Sequence, residues 1–288
     1  MPGAAATPRA SLTSLHRYPV KSCRGEALQR ATVERWGLTG DRRWMLVDEA
    51  GEAATARQLA RLVLVTPLLT DDGLLLMAPG AEPLQVPRPL AGPRLRATLF
   101  GQSVPATLAS AEAAAWFTDV AGKPVRLVYL DAPAETAPGD GFSDPGERAS
   151  FADGYPLLLA NQESLAELNR WIAQGSRASD GPLPMSRFRP NLVVSGVPAW
   201  DEDRWRRVRI GSATFRSVKA CDRCVLTLVD PETATKTKEP LFSLARHRQW
   251  DHKTWFAVNL IPDTVGQQLS VDDDVEVLEQ VDDPTPQH

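Results

Sequence analysis

The feature that most restricts the fold of this chain is the regular interruption of short apolar runs by turn-forming residues. In the first half, such runs occur at Ser11–Val20, Arg43–Val47, Leu62–Leu69 and Leu74–Met77. The sequence Asp71-Asp72-Gly73 separates the last two and is typical of a hairpin turn. Many short strands at regular spacing are typical of antiparallel barrels and sandwiches. The chain is therefore predicted to be mainly β.

Three segments have the composition and end signals of helices. Residues Ala111–Ala121 follow Ser110, which can cap a helix, and Gly122 follows them as a stop signal. A second helix is predicted to begin after Asn161. A third, short helix is predicted over Glu239–Arg248. With these helices included, the fold class is α+β.

A composition change divides the chain into two predicted domains. The segment from Asp131 to Ser150 is rich in Pro, Gly, Asp, Glu and Ala, as in a long loop or an interdomain boundary. We expect an N-terminal β-barrel-like domain over residues 1–130, a linker over 131–144 and a C-terminal β-barrel domain over 145–282. The strands predicted in the C-terminal domain are 155–160, 191–194, 207–210, 214–218, 225–229, 255–260 and 275–278.

Charge and cysteine content limit the possible partners and compartment. The net charge is -4 and the pI is about 5.7, whereas nucleic-acid or membrane binding usually needs a basic excess. We therefore expect neither partner. Three cysteines cannot form a disulfide framework, and the N-terminus lacks the apolar region of a signal peptide. These features predict a cytoplasmic protein.

Two of the three cysteines form a C-x-x-C motif at Cys221 and Cys224. Lys219 and Arg223 are placed to favour the thiolate of either cysteine. A zinc site would need a second pair of ligands, and a thioredoxin-like pair would lie between a strand and a helix, whereas an apolar run of strand type follows here. Two buried structural cysteines are the remaining interpretation of the motif alone.

Basic residues at strand ends suggest an anion site. Lys21, with the neighbouring Ser22 hydroxyl, could bind a phosphate, and Arg42 and Arg189 could donate paired hydrogen bonds to a phosphate or a heterocycle. Taken singly, each of these residues is better explained by a surface salt bridge. Their presence together with the cysteine motif favours a binding site.

These motifs together resemble those of MOSC-domain proteins in the two-part form with an N-terminal β-barrel domain. This group includes the amidoxime-reducing components and bacterial reductases of N-hydroxylated bases. The resemblance runs from about Ser11 to Leu278. The matching segments are Tyr18-Pro-Val-Lys-Ser-Cys23, Gly37-Leu-Thr-Gly-Asp-Arg42, Thr55-Ala-Arg-Gln58, Phe151-Ala-Asp-Gly-Tyr-Pro156, Phe188-Arg-Pro-Asn191, Cys221-Asp-Arg-Cys224 and Lys238-Glu-Pro-Leu241.

The resemblance implies a molybdenum cofactor, in which molybdenum is held by molybdopterin, with Cys224 as the protein ligand of the metal. Thiolate suits a metal already held by soft dithiolene sulfurs. The residues that the resemblance places near the pterin and its phosphate are Lys21, Ser22, Arg42, Arg189, Asn191, Asp222, Arg223 and Cys224.

The implied activity is reduction of N-hydroxylated compounds, such as N-hydroxylated bases, amidoximes or hydroxylamines. No cysteine set for a plant-type iron–sulfur cluster follows the motif, so electrons are expected from a separate flavin or iron–sulfur reductase. The alternative is a carrier protein that delivers the cofactor or sulfur without turnover. A structural β domain with inert thiols is a third interpretation.

Overall fold

The computed structural model describes residues 9–133, 144 and 146–282. The predicted fold class is confirmed, because these residues form mainly strands with three α-helices, in two barrel-like units. Residues 134–143, most of the predicted linker, lie outside the described residues, as do residues 1–8 and 283–288. Across the described ranges, no helix combines the length and apolar composition needed to cross a membrane.

The first half of the chain contains eleven strands and one helix among the described residues. They are β1 (Ser11–Arg17), β2 (Glu26–Leu28), β3 (Arg30–Glu34), β4 (Gly37–Leu38), β5 (Trp44–Val47), β6 (Thr66–Leu69), β7 (Gly73–Ala78), β8 (Ala81–Pro87), β9 (Arg94–Leu99), β10 (Gln102–Leu108), α1 (Ala111–Ala121) and β11 (Arg126–Tyr129).

The described residues of the second half form eight further strands and two helices. They are β12 (Leu157–Asn161), α2 (Gln162–Gln174), β13 (Leu192–Ser195), β14 (Trp205–Ile210), β15 (Ala213–Asp222), α3 (Leu241–His247), β16 (Gln249–Trp250), β17 (Lys253–Pro262), β18 (Gln268–Ser270) and β19 (Val275–Gln280).

A small barrel forms the centre of the N-terminal unit. Its strand order is β5-β11-β10-β9. Ala53 donates its N–H to Thr98 in β9, and Ala54 donates to Leu46 in β5, so the short segment after β5 joins the two edges. Side chains such as Met45 and Val128 fill the interior. A separate hairpin sheet, β6-β7-β8, packs with α1 against the barrel.

The predicted caps and turns of this unit are present. The Ser110 hydroxyl accepts a hydrogen bond from Ala113 at the start of α1, and Gly122 ends the helix in the left-handed conformation at φ 70. The predicted hairpin joins β6 to β7, where Thr70 donates to the carbonyl of Gly73. The apolar run Leu62–Leu69 is only partly a strand, because Ala60–Leu64 forms a 3₁₀ helix that buries Leu62.

The larger barrel is built around a sheet in the order β19-β14-β15-β17-β12-β13-β1-β2, with β16 attached to β17. Leu12 donates to Asp273, and Val275 donates to Ala10. These bonds connect β1 to the start of β19 and close the sheet. Helix α2, whose predicted cap Asn161 accepts from Glu163, packs with α3 on the outside of the barrel.

Strand β1 belongs to the C-terminal barrel although it starts the chain. It pairs with β13 in antiparallel register, with Leu15 opposite Leu192. Its inward side chains, such as Leu12, pack with Val208 and Phe215 of the C-terminal half. The chain therefore leaves this barrel after β4, builds the N-terminal unit and returns to the same sheet at β12.

The strand predicted over Val225–Val229 is wrong. Residues Val225–Leu228 form a 3₁₀ helix instead, in which Thr227 donates to Cys224. Leu226 and Val229 pack against the apolar core of the N-terminal unit rather than beside a strand edge. Tertiary contacts of this kind override the strand preference of an apolar run.

Candidate functional site

A cavity of about 350 Å³ lies where loops of the two units meet. Seven of its lining residues are basic and two are acidic, although the chain as a whole is negatively charged. The cavity is therefore a local concentration of positive charge. All the residues that the resemblance places near the cofactor line it. They are Lys21, Ser22, Arg42, Arg189, Asn191, Asp222, Arg223 and Cys224.

Three of these residues have an unusual backbone conformation. Ser22, Arg42 and Arg189 have positive φ angles of 71, 47 and 57, a region that residues other than glycine rarely occupy. Such strained residues concentrate at ligand-binding sites, where the surrounding structure fixes them. Here all three lie in loops that face the same cavity.

Tyr18 is the common support of two cavity arginines. The guanidinium carbons of Arg42 and Arg189 lie 4.7 and 4.4 Å from the centre of its ring. The Tyr18 hydroxyl donates to the Pro190 carbonyl at 3.1 Å, and burial raises the pKa of Tyr18 to about 12. A neutral, buried aromatic ring thus holds two cations at one side of the cavity.

Asn191 acts mainly as a support. Its side-chain oxygen accepts from Arg42 at 3.1 Å and from the Leu158 backbone at 3.3 Å, and its amide nitrogen donates to His16. The residue is fully buried. Asn191 therefore fixes the orientation of Arg42, which also donates to the Arg189 carbonyl.

An ion network connects the two units across the cavity. Lys21, which is 4% exposed, donates to the Phe151 carbonyl at 2.7 Å and forms an ion pair with Asp153. The other carboxylate oxygen of Asp153 accepts from Arg57 at 3.0 Å. Desolvation opposes ionisation of Asp153, but the charges of Lys21 and Arg57 outweigh this effect and hold the Asp153 pKa well below its usual range. Burial lowers the Lys21 pKa, and Asp153 opposes that shift.

The two cysteines of the motif have different surroundings. Cys224 lies 3.4 Å from Nε of Arg57, a residue 167 positions earlier in the chain. Cys221 instead accepts from Arg223 at 2.9 Å. Burial raises the Cys221 pKa, and the charge of Arg223 opposes this only in part. Arg223 therefore acts on Cys221, where its charge favours the thiolate as predicted but is outweighed by burial.

The remaining predicted residues differ in exposure. Asp222 is exposed, and its carboxylate lies 3.9 Å from Lys253. Cys23 is fully buried outside the cavity lining, where burial raises its pKa to about 12. Cys23 is thus a core residue.

Several cavity arginines carry buried nitrogen atoms with no hydrogen-bond partner among the described residues. These atoms are Nε of Arg187, Nη2 of Arg189 and Nε of Arg223. A buried donor without a partner is costly unless a ligand or water satisfies it. Together with the excess positive charge, these donors fit a bound anion such as a phosphate.

Two further cavity residues, Arg57 and Phe100, have no role predicted from the sequence, and a third, Asp153, lies in a segment that the resemblance places near the cofactor. Arg57 belongs to the segment Thr55-Ala-Arg-Gln58, which contributed to the resemblance without a role for its arginine. Asp153 lies in another matching segment, and Phe100 lies at the tip of the β9–β10 hairpin with 60% of its surface exposed. No local sequence signal indicates that Arg57 reaches Cys224, since only the tertiary fold brings them together.

Two family descriptions match most of the chain. Residues 9–124 match the MOSC N-terminal beta barrel domain, and residues 146–276 match the MOSC domain. The mitochondrial amidoxime-reducing component 1 of Xenopus laevis is 34% identical over 247 residues, which are 81% of this chain and 70% of that protein. The mitochondrial amidoxime reducing component 2 of Homo sapiens is 32% identical over 252 residues, covering 84% of this chain and 73% of that protein.

A third relative has a different name. The molybdenum cofactor sulfurase of Oryza sativa subsp. japonica is 30% identical over 264 residues, which are 86% of this chain but 32% of that protein. The cytoplasmic location expected from the sequence is contradicted, because the amidoxime-reducing relatives are named as mitochondrial proteins.

Proposed function

This chain belongs to the MOSC-domain family, and we propose that it is a molybdenum-cofactor-dependent reductase of N-hydroxylated compounds. The observation that carries the proposal is the cavity between the two units, which combines an accessible cysteine with a strongly basic wall. Relatives named as amidoxime-reducing components support amidoximes as substrates, and N-hydroxylated bases and hydroxylamines are proposed with them because they contain the same N–O bond.

The basic wall would hold the anionic part of the cofactor. Arg189 and Arg223 carry buried donors without partners, and Arg42 is held beside them by Tyr18 and Asn191. Guanidinium groups bind phosphate through paired, charge-assisted hydrogen bonds. Lys21 and the strained loop at Ser22 add a further charge and a hydroxyl group at the same cavity.

Cys224 would be the protein ligand of the metal. Of the two motif cysteines, it is the one whose sulfur is not engaged by Arg223, and it lies two residues after the end of β15. A thiolate is a suitable ligand for a metal held by soft sulfur donors. When bound, the cofactor supplies the two-electron redox chemistry, and the protein supplies its position and electrostatic environment.

Asp222 would contribute through its place at the end of β15 rather than through a buried contact. Its side chain is exposed and faces Lys253 at 3.9 Å. Because an exposed ion pair at this distance contributes little energy, we assign Asp222 the weakest role among the proposed cofactor-binding residues.

The proposed partners are an N-hydroxylated small molecule and a separate electron-donor protein, either a flavin or an iron–sulfur reductase. The three cysteines of the chain are too few for a cluster held by four thiolates when one binds molybdenum. Electrons would therefore enter from another protein.

The proposal is tested by loading the purified protein with molybdenum cofactor and assaying it with reduced viologen and an amidoxime. We expect turnover in the unmodified protein. Cys224→Ser should lose activity and most of the bound molybdenum, because a neutral hydroxyl is a poor soft-metal ligand. Cys221→Ser is the matched control and should retain most of both.

A protein that retains molybdenum without reducing any N-hydroxylated compound would contradict the reductase proposal and favour cofactor delivery. That alternative is consistent with the similarity to a molybdenum cofactor sulfurase. Equal losses in the two cysteine variants would show that Cys224 has no special role.

A further inference from the structure

Arg57 lines the cavity and contacts two residues of the C-terminal unit, Cys224 and Asp153. It comes from the N-terminal unit, yet its Nε lies 3.4 Å from Sγ of Cys224. The guanidinium group is thus next to the sulfur to which we assign the metal. The side chain is 23% exposed, so it is accessible from the cavity.

Two of the three guanidinium nitrogens have fixed partners. Nε faces Cys224, and Nη2 donates to Asp153 at 3.0 Å. Asp153 is itself held by Lys21, which is buried. The third nitrogen, Nη1, makes no hydrogen bond with any described residue. The guanidinium is therefore held in place with one charged donor left for a ligand.

Phe100 packs against the Arg57 guanidinium group and also lines the cavity. Its ring centre lies 4.9 Å from the Arg57 guanidinium carbon and 5.5 Å from Nζ of Lys21. The ring is 60% exposed at a hairpin tip. An exposed aromatic ring above a cationic plane offers a stacking surface for a flat molecule.

From these contacts we propose that Arg57 binds the substrate oxygen through Nη1, and that Phe100 stacks on planar N-hydroxylated substrates. The inference rests on the proposed reductase function and names its substrate-binding residues. In the overall reaction the N–O bond breaks and the oxygen leaves as water. Two electrons come from the donor protein, and two protons come from solvent.

Arg57 stays protonated throughout, since a guanidinium does not release its proton in proteins. Its role is to stabilise the negative charge that develops on the departing oxygen. Removing one such donor from a preorganised site lowers kcat by about 100-fold or more in other enzymes. The expected effect is thus on kcat as well as on substrate binding.

The test compares Arg57→Gln and Arg57→Lys with Arg61→Gln in the cofactor-loaded protein. Arg61 is a matched control, because it is an exposed arginine in the adjacent 3₁₀ helix. Molybdenum content is measured for each variant, with kcat and KM for benzamidoxime. Calorimetry then gives the Kd of benzoate, a planar oxygen-bearing molecule with no N–O bond.

We expect Arg57→Gln to retain molybdenum, to lose about 100-fold in kcat and to bind benzoate at least about tenfold more weakly, which is the loss of one charge-assisted hydrogen bond. Arg57→Lys should fall between, since it keeps the charge but not the planar fork. Arg61→Gln should match the unmodified protein. Phe100→Leu should raise KM for benzamidoxime by a larger factor than KM for hydroxylamine, which has no planar group to stack on the ring.

Two results would overturn the inference while the reductase proposal stands. One is an active unmodified protein in which Arg57→Gln keeps kcat/KM within threefold. The other is a loss of activity that merely follows the loss of molybdenum, which would limit Arg57 to holding Cys224. Absence of turnover in the loaded, unmodified protein would instead overturn the reductase proposal, and the benzoate measurement would still decide whether Arg57 binds a ligand oxygen.

Discussion

Replacing Tyr18 tests whether its ring organises the basic wall of the cavity. Tyr18 is 3% exposed, and two guanidinium groups lie within 4.7 Å of its ring centre. Cation–π contacts with desolvated partners contribute about 2 kcal/mol each, and about 0.5–1 kcal/mol at exposed sites. Tyr18→Leu should therefore reduce the free energy of unfolding by about 2–4 kcal/mol through these two contacts.

The matched control is Tyr18→Phe, which keeps the ring and removes only the hydroxyl bond to Pro190. Loss of that bond should cost about 1–3 kcal/mol, because the buried carbonyl is left without this partner. Tyr18→Leu carries this loss as well as the loss of the ring. Urea unfolding of both variants, with molybdenum retention after dialysis, measures the difference. Equal stability and equal retention in the two variants would refute the role of the ring.

Two further predictions concern pH and electron supply. Burial, reinforced by the charge of the neighbouring Asp203, raises the Glu202 pKa from 4.5 to about 7. Between these two pH values the folded state therefore binds more protons than the unfolded state. The free energy of unfolding should fall as pH rises through this range. Glu202→Gln should remove this pH dependence. The difference in unfolding free energy between the unmodified protein and the variant should therefore change by up to about 3 kcal/mol between pH 4.5 and 7.5. Urea unfolding that gives the same difference at both pH values would contradict the prediction. The cofactor-loaded protein should not turn over with NADH or NADPH alone, because no Gly-rich dinucleotide motif follows a predicted strand. It should become active when a separate reductase is added. Turnover with NADH or NADPH as the sole electron donor in a homogeneous sample would show that the chain has a nicotinamide site that the sequence does not reveal.

Local sequence signals predicted those parts of the fold that depend on neighbouring residues. Ser110 and Asn161 cap the helices predicted to follow them, and both caps are made by the expected side chains. The strand predicted over Val225–Val229 is wrong, because packing against the core of the N-terminal unit decides the conformation of this segment. No local sequence pattern indicates that packing. Propensity therefore described elements well where capping fixed them and poorly where distant packing did.

The candidate site divides in the same way. The residues predicted from the sequence to bind the cofactor share one cavity. Their motifs are far apart in the chain, and only the resemblance to a family with the same motifs in the same order predicts that they lie close together. The sequence leaves open which cysteine Arg223 contacts; in the structure adjacent Arg223 contacts Cys221, while distant Arg57 contacts Cys224. Closeness in sequence is a weak guide to contact at the end of a strand, where successive side chains point in different directions.

The place of β1 in the larger barrel has a consequence for how the protein is made. Its Thr13 side chain bonds to Val193, 180 residues later, so the ribosome must synthesise most of the chain before this strand finds its neighbour. Closing so long a loop is entropically costly and slow. Until then β2 can pair with one edge of β1, but the edge that β13 covers stays open to pairing with other chains. For the same reason, a fragment that starts at residue 146, where the second family segment begins, would lack strand β1. It would expose the edge of β13 that β1 normally covers.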